Sequence, residues 1–370
     1  MPLLPLLLLL LLTACTHTPP TAHEPSGGMD YASLLEMEET DSCCIVKVKD
    51  AWHPERIQAT YLLIPSHQPL PQQLPPGTVV RTPLQRVVLL SSVHASLLAD
   101  LQAASHIAGM ADTAYVVGAQ LRQLLAQGVC SVGNSLNPDV ETIRALCADA
   151  VFVSPFENAG HGSLEQLGIP LIECADYMET SPLGRAEWMR FFGRLVGQGP
   201  RADSLFQVVA AHYLSLREKA SRAHSVRPTV FCDLRTGGTW YQPGGNSTMG
   251  QFLTDAGAHY LWADRPESGS LPLDMESVFA RAHRADLWLV KYGATTPLTY
   301  DGLAKDCPAY TRFAAWKERR VWACNTLQVA FYEEVPFHPD RLLQSLIGLF
   351  HPELADSTTR PFYTPLPAPR

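Results

Sequence analysis

Asp139-Val140-Glu141 leads into Ala148-Asp149-Ala150-Val151-Phe152-Val153, and Asp274-Met275-Glu276 leads into Ala285-Asp286-Leu287-Trp288-Leu289-Val290. In both stretches an acidic pair stands where a helix would start, the position at which the helix dipole favours negative charge. Each helix then feeds an apolar run of strand length. The same helix-to-strand unit written twice predicts two similar αβ lobes. Two comparable lobes in one exported chain predict closure on something held between them.

Export is read from the other end of the chain. Met1 to Leu12 is almost entirely leucine and proline and stops at Leu12-Thr13-Ala14-Cys15. The run is shorter than the roughly 18 apolar residues a membrane span needs, so it reads as an export signal. Its end resembles the lipobox of bacterial lipoproteins, which implies lipidation of Cys15 and a membrane anchor through its acyl chains. No Lys or Arg precedes the leucines, a departure from that pattern. Thr16 to Gly28 is rich in Pro, Thr, Ser and Gly and reads as a tether.

Composition bounds what the tether carries. The chain has 370 residues, 46% of them hydrophobic, enough for two packed domains. A net charge of -8 without a basic run argues against nucleic acid as a partner. Besides Cys15 there are Cys43, Cys44, Cys130, Cys147, Cys174, Cys232, Cys307 and Cys324, an even set that can pair in an exported chain. Cys174 and Cys232 lie in apolar runs and read as buried thiols. The pairing of the others stays open.

The expected organisation is a signal peptide over 1–15, a tether over 16–42, a first αβ lobe with β decoration over 43–198, a linking helix over 199–226, a second αβ lobe over 227–356 and a tail over 357–370. Strands alternating with helices through each lobe predict α/β architecture, with Rossmann-like sheets covered on both faces. Leu205, Val209, Tyr213, Leu216 and Ala220 recur at helical spacing after Gly199-Pro200. Asp203 near the start and Arg217, Lys219 and Arg222 near the end suit the dipole of one long helix. A single long helix between lobes predicts small closure.

Several passages resemble the ABC-transporter substrate-binding proteins that have one helical backbone between their lobes and bind iron-siderophores, haem or vitamin B12. They are Arg86-Val87-Val88-Leu89 with Ile107-Ala108-Gly109, the Asp139 passage followed by Leu167-Gly168-Ile169-Pro170, Gly244-Gly245-Asn246-Ser247 with Asp255-Ala256-Gly257-Ala258, and His351-Pro352-Glu353-Leu354. The passages around Ser92-Val93-His94 and Glu333-Glu334-Val335-Pro336 are most similar to the branch found in Bacteroidetes. The resemblance implies a ligand cleft between the lobes, no intrinsic cofactor and a metal chelate as ligand. It also implies an ABC importer, permease and ATPase, as partner, and a periplasmic protein anchored to the inner or outer membrane of a Gram-negative bacterium.

In open αβ sheets ligands meet the loops after the strands. Those loops hold Ser92, His94, Asp112, Tyr115, Pro155, Phe156, Glu157 and Asn158 in the first lobe, and Thr239, Trp240, Tyr241, Arg265, Lys291 and Tyr292 in the second. Aromatic faces suit a macrocycle or catechol, and Arg265 and Lys291 suit anionic groups. His94 is the candidate axial ligand to a metal. Glu157 is the expected permease-docking carboxylate of the first lobe, with Glu267 or Glu333 for the second. Two other readings stay open: an outer-membrane haem or corrinoid scavenger without its own permease, for which Thr16 leaves room, and a chelatase-like enzyme drawing on His94 and Glu157. Against the enzyme, the chain has no H-E-x-x-H, G-x-S-x-G, Walker A or G-x-G-x-x-G sequence.

Overall fold

The computed structural model describes residues 28–367. The lipobox Cys15 and the signal sequence lie outside the described residues. The chain first forms a four-stranded sheet in sequence order: β1 (Leu35–Glu39), β2 (Cys44–Lys49), β3 (Ile57–Pro65) and β4 (Thr78–Thr82). The first lobe follows with β5 (Val87–Leu89), α1 (Ser92–Asp100), β6 (Ile107–Met110), α2 (Ala119–Ala126), β7 (Cys130–Ser131), the hairpin β8 (Gly133–Asn134) and β9 (Asn137–Pro138), α3 (Val140–Ala145), β10 (Ala150–Val153) and β11 (Leu171–Glu173). Two short helices, α4 (Pro182–Glu187) and α5 (Met189–Leu195), lead to α6 (Gly199–Ser221).

The second lobe consists of β12 (Thr229–Cys232), β13 (Arg235–Thr236), β14 (Thr239–Pro243), α7 (Thr248–Asp255), β15 (His259–Tyr260), β16 (Ser270–Leu273), α8 (Met275–Ala282), β17 (Leu287–Tyr292), α9 (Tyr300–Asp306), α10 (Ala314–Lys317), β18 (Val321–Asn325), α11 (Phe331–Glu334), α12 (Pro339–Phe350) and β19 (Thr364–Pro365).

The repetition read in the sequence is a repetition of topology. The first sheet runs β11-β10-β5-β6-β7 and the second, read in the same direction, β19-β18-β17-β12-β15. The parallel strands β11, β10, β5 and β6 thus correspond to β18, β17, β12 and β15. Asp139 caps α3 by accepting from Thr142 N–H at 3.1 Å, and Asp274 caps α8 through Ser277 N–H at 2.6 Å. The two Ala-Asp pairs do a second job. Asp149 Oδ2 accepts from the N–H groups of Gln85 and Arg86 at 2.6 and 2.8 Å, and Asp286 Oδ2 accepts from Thr229 N–H at 2.8 Å and its hydroxyl at 2.7 Å. Each carboxylate ties the start of its own strand to the start of the lobe's first strand.

Both sheets are buried on two sides, as parallel sheets require. In β5, Val87 and Leu89 face the main core, while Val88 packs on the other side with Ile143, Val151 and Leu164. Helix α6 has 23 residues, about 34 Å at 1.5 Å per residue, and buries Phe206, Val209, Tyr213, Leu216 and Ala220 along one stripe. Asp203 in its first turns pairs with Arg190 and Arg194, and the Tyr213 hydroxyl donates to Asp255 of the second lobe at 2.7 Å.

The chain ends differ from the expected tether and tail. Residues 16–42 include β1, paired antiparallel with β2. Ahead of it, buried Glu187 accepts from the N–H groups of Asp30, Tyr31 and Ala32 at 2.7–3.1 Å and from Arg190 at 3.0 Å. Buried Glu179 takes the N–H groups of Ser33 and Leu34 and the Trp188 indole. The described part of the expected tail, 357–367, is likewise part of the second lobe: Phe362, Tyr363 and Leu366 are buried and β19 pairs with β18. All eight cysteines from Cys43 to Cys324 are free.

Replacing Glu187 leaves three backbone donors and an arginine without their acceptor, a loss of about 3 kcal/mol or more for a buried charged partner. Glu187→Ala should lower stability by that amount in urea denaturation. It should also open the chain before Leu35 to limited proteolysis; unchanged cleavage there would show that the segment is held by other contacts.

Candidate functional site

In open parallel sheets the crevice outside the strand C-terminal ends is where ligands meet the loops, and each lobe has an open cavity there. In the first lobe the walls come from Ser91 and Ser92 after β5, Asp112 and Tyr115 after β6, the β8–β9 hairpin with Leu136, and Ser154, Phe156 and His161 after β10. The cavity holds about 550 Å³. In the second lobe Asp233, Arg235 and Thr236 after β12, Tyr241 of β14, and Lys291, Tyr292 and Gly293 at the end of β17 enclose about 840 Å³. Both volumes fall in the range of sites for small ligands.

The aromatic side chains at these cavities are presented to solvent. Tyr115 is 66% exposed, Phe156 49% and Tyr241 46%. Leu136, which sequence reading missed, is 76% exposed on the first-lobe hairpin. Large apolar side chains gathered at the mouth of a cavity are suited to contact with a ligand.

The second cavity carries the charge. Lys291 is half-buried, with Nζ 5.2 Å from the Phe331 ring centroid and 6.0 Å from that of Tyr332. Asp233 follows β12 with φ of 59°, a left-handed conformation uncommon outside glycine, and accepts weakly from Lys291 N–H at 3.4 Å. Burial raises the Asp233 carboxyl above its usual range, partly countered by Lys291. Burial alone would lower the Lys291 ammonium, but Asp233 and Tyr332 outweigh it, so the ammonium is held above its usual value.

The lobes meet at several points. Buried Glu333 of α11 accepts from Val117 N–H and Gly118 N–H, each at 2.7 Å, at the N-terminus of α2 in the first lobe. A Cβ at Gly118 would collide with that carboxylate. His338, ahead of α12, lies 2.8 Å from Asp100 at the end of α1, and Gln251 of α7 donates to the Thr180 carbonyl at 2.7 Å. Glu333 is thus a tie between lobes and not a free docking carboxylate.

Other predicted residues are also reassigned. His94 lies on the buried side of α1, 3% exposed, with Nε2 2.9 Å from Asp176 and its ring among Phe152, Phe192 and Phe337. Five other residues of α1 are buried as well, so the helix has no single wet face to present it. His94 is a core residue and cannot reach a ligand in the cavity. Trp240 is not in a loop but in β14, fully buried among Phe231, Trp288, Tyr310 and Phe313, its indole donating to Cys232 at 2.8 Å. Strand alternation turns Trp240 inward and Tyr241 outward. Arg265 is outside both cavities, paired with Glu267 at 2.6 Å on the surface. Glu157 is exposed next to Phe156 at the rim of the first cavity. Ser92, Tyr115, Phe156, Lys291 and Tyr292 stand at or just after strand ends on the cavity walls, whereas Tyr241, expected in a loop, projects into the second cavity from the middle of β14.

Residues 87–326 match the family described as periplasmic binding protein. An uncharacterised lipoprotein of Methanocaldococcus jannaschii is 26% identical over 285 residues, 74% of this chain and 67% of the relative. Among solved structures, a periplasmic haem-binding protein from Pseudomonas aeruginosa superposes with a TM-score of 0.58 at 19% identity, over 77% of this chain and 99% of that one. The haem-binding protein RhuT from Roseiflexus sp. RS-1 gives 0.57 at 23% identity, over 73% and 99%. IsdE of S. aureus, solved with haem, gives 0.54 at 16% identity, over 72% and 98%. At these identities the likeness concerns the two-lobed fold.

Burial separates the two neighbouring aromatics. Trp240→Ala should cost about 3–5 kcal/mol, as large-to-small changes in a packed core do, whereas Tyr241→Ala should leave the melting midpoint nearly unchanged. Equal midpoints for the two variants would contradict this packing. A second expectation concerns acid. Burial would raise the Asp176 carboxyl, but His94 and Arg185 at 3.2 Å together hold it below its ordinary value of 3.8. Its stabilising contribution is therefore present above that value and lost as pH falls through the depressed one. Asp176→Asn should flatten the acid limb of the stability profile below about pH 4; an unaltered limb would assign acid unfolding to other groups.

Proposed function

Because this chain belongs to the periplasmic binding protein family, we propose that it captures a metal chelate between its lobes and delivers it to an ABC importer. The chelate class is that of iron-siderophores, haem and cobalamin. The observation that carries the reading is the pairing of two cavities at strand ends. One is walled by exposed Tyr115, Phe156 and Leu136, the other by Tyr241, Tyr292 and the cations Lys291 and Arg235. Aromatic and aliphatic side chains cover the flat organic face of a chelate, and the cations meet its carboxylates or net negative charge. Each lobe supplies part of the enclosure, so full burial of a large ligand needs both.

Delivery would use carboxylates on the outer surface. Glu157 is exposed at the rim of the first cavity and free to meet an arginine of a permease. Glu267 is half-exposed on the second lobe with Arg265 as its present partner, which an incoming arginine would displace. Glu333, engaged between the lobes, has no part in docking. Lipidation of Cys15 would hold the protein at the periplasmic face of the inner or outer membrane.

The aromatic contacts give the expected magnitudes. Tyr115→Ala, Phe156→Ala and Tyr241→Ala should each weaken chelate binding about tenfold, the ~1.4 kcal/mol of one lost aromatic face, with unchanged circular dichroism. Lys291→Ala should weaken anionic chelates more than neutral ones. Absorption and fluorescence titrations with haemin, cyanocobalamin, and ferric catecholate and hydroxamate complexes would measure this. Failure of all four to bind the folded protein would sink the reading.

A further inference from the structure

A third cavity, of about 200 Å³, shares no wall residue with the two at the strand ends. It lies between α11, α12 and the segment that follows α12. Glu334 ends α11, Arg341 stands in the first turn of α12, and Arg360 belongs to the C-terminal segment. The wall is fixed by the fold. Phe362 N–H donates to Ser345 Oγ at 3.0 Å, and the Phe362 ring meets Phe331 of α11 edge to face at 5.8 Å. Asp356 secures the turn before Arg360 by accepting from Thr358 N–H at 2.8 Å and from its hydroxyl at 2.7 Å.

Two cations share one carboxylate in this wall. Arg341 Nη1 is 3.5 Å and Arg360 Nη1 is 3.6 Å from the two oxygens of Glu334. Elsewhere on the surface such pairs close tightly: Arg265 and Arg281 each lie 2.6 Å from their carboxylates. A guanidinium has five N–H donors. Among the described residues the Arg341 side chain makes one hydrogen bond, the long one to Glu334, and the Arg360 side chain makes none. Two arginines against one glutamate leave the wall with a net charge of +1. The arginine side chains are 50% and 68% exposed, so an anion reaches them without opening the fold. Thr359, also in the wall, has an enclosed hydroxyl that the fold leaves without a partner.

The size and chemistry of the wall define the ligand. A cavity of about 200 Å³, against 550 and 840 Å³ at the strand ends, is too small for a macrocycle and admits a molecule of a few carbons. The planar fork of arginine matches a carboxylate. Val329, Pro361 and Phe362 supply an apolar surface for a carbon skeleton, which a bare inorganic anion would not use. We propose that this cavity is a second ligand site, which takes a small organic acid by its carboxylate between Arg341 and Arg360. The site is additional to chelate binding and does not depend on it. A bound acid joins three segments at α11, the helix whose Glu333 ties the lobes and whose Phe331 lies 5.2 Å from Lys291 Nζ.

The test is isothermal titration of the full chain, kept in detergent at low salt, with lactate, succinate and citrate, and with inorganic phosphate for comparison. Arg341→Gln, Arg360→Gln and Glu334→Gln are measured beside the parent after circular dichroism has shown each to be folded. The site predicts saturable one-to-one binding of at least one of the three acids. Either arginine variant should weaken it at least tenfold. Glu334→Gln, which removes the competing carboxylate, should strengthen it severalfold; a surface ion pair of purely structural use predicts no binding in any of the four proteins. No saturable binding of any acid at millimolar concentration overturns the proposal. Unchanged affinity in both arginine variants does so too, because it puts the acid elsewhere on the protein. Binding of phosphate without any organic acid overturns the assigned ligand class. Chelate titrations of the same samples are read separately, so loss of either activity leaves the other standing.

Discussion

A parallel sheet has all its strand starts at one edge and all its strand ends at the other, and this molecule treats the two edges oppositely. At the starting edge, Asp149 holds β10 to β5 and Asp286 holds β17 to β12 through charged hydrogen bonds. With both faces buried under helices and the starting edge tied in this way, the cavities open at the ending edge. Every residue that forms a cavity wall after β5, β6, β10, β12 and β17 is there because of that constraint. The acidic residue after the repeated alanine therefore has a purely architectural use, yet it fixes where chemistry can occur.

The two lobes are joined rather than hinged. Helix α6 spans them, and Glu333, His338 and Gln251 bond across the junction, Glu333 at Val117 and Gly118 just after Tyr115 of the first cavity and His338 at the far end of α1. The Glu333 carboxylate takes two N–H groups at a helix start, a geometry that tolerates little rotation. Ligand capture in such a body relies on side chains already facing the space, which agrees with the exposure of Tyr115, Phe156 and Tyr241. The cost of ordering them on binding is limited to side-chain rotamers, since their strands and turns are already fixed.

The architecture was legible because it rests on local signals: acidic helix caps, apolar strand runs and the 3.6-residue stripe of α6. The candidate site was legible in position but less so in identity. Tyr241 and Trp240 differ by one residue in a strand, and reading Gly237-Gly238 as the flank of a loop hid the alternation that separates them. His94 sits in a helix buried on nearly all sides, where no periodicity tells a core residue from a ligand. Glu334, Arg341 and Arg360 stand in three separate segments without a shared pattern, and only the fold brings them around one cavity. The chain ends were missed for a related reason. Leu35-Glu36-Met37-Glu38-Glu39 is half acidic, and its strand exists because β2 lies across from it and the carboxylates of Glu187 and Glu179 hold the residues just ahead of it.

Those chain ends have a use that follows from where they attach. In the repeated topology β11 and β18 are equivalent edge positions of the two parallel sheets. The exposed groups of β11 are met by Tyr61 of the N-terminal sheet, whose hydroxyl donates to the Leu171 carbonyl at 2.8 Å and accepts from Glu173. Those of β18 are met by β19. The opposite edges are formed by β7 and β15, only two residues each. Open edges of parallel sheets are templates for unwanted strand addition. A protein kept at high local density on a surface would be especially prone to it. The segments added before and after the paired lobes work as end stops, and they let two open sheets coexist in one chain without pairing to their neighbours.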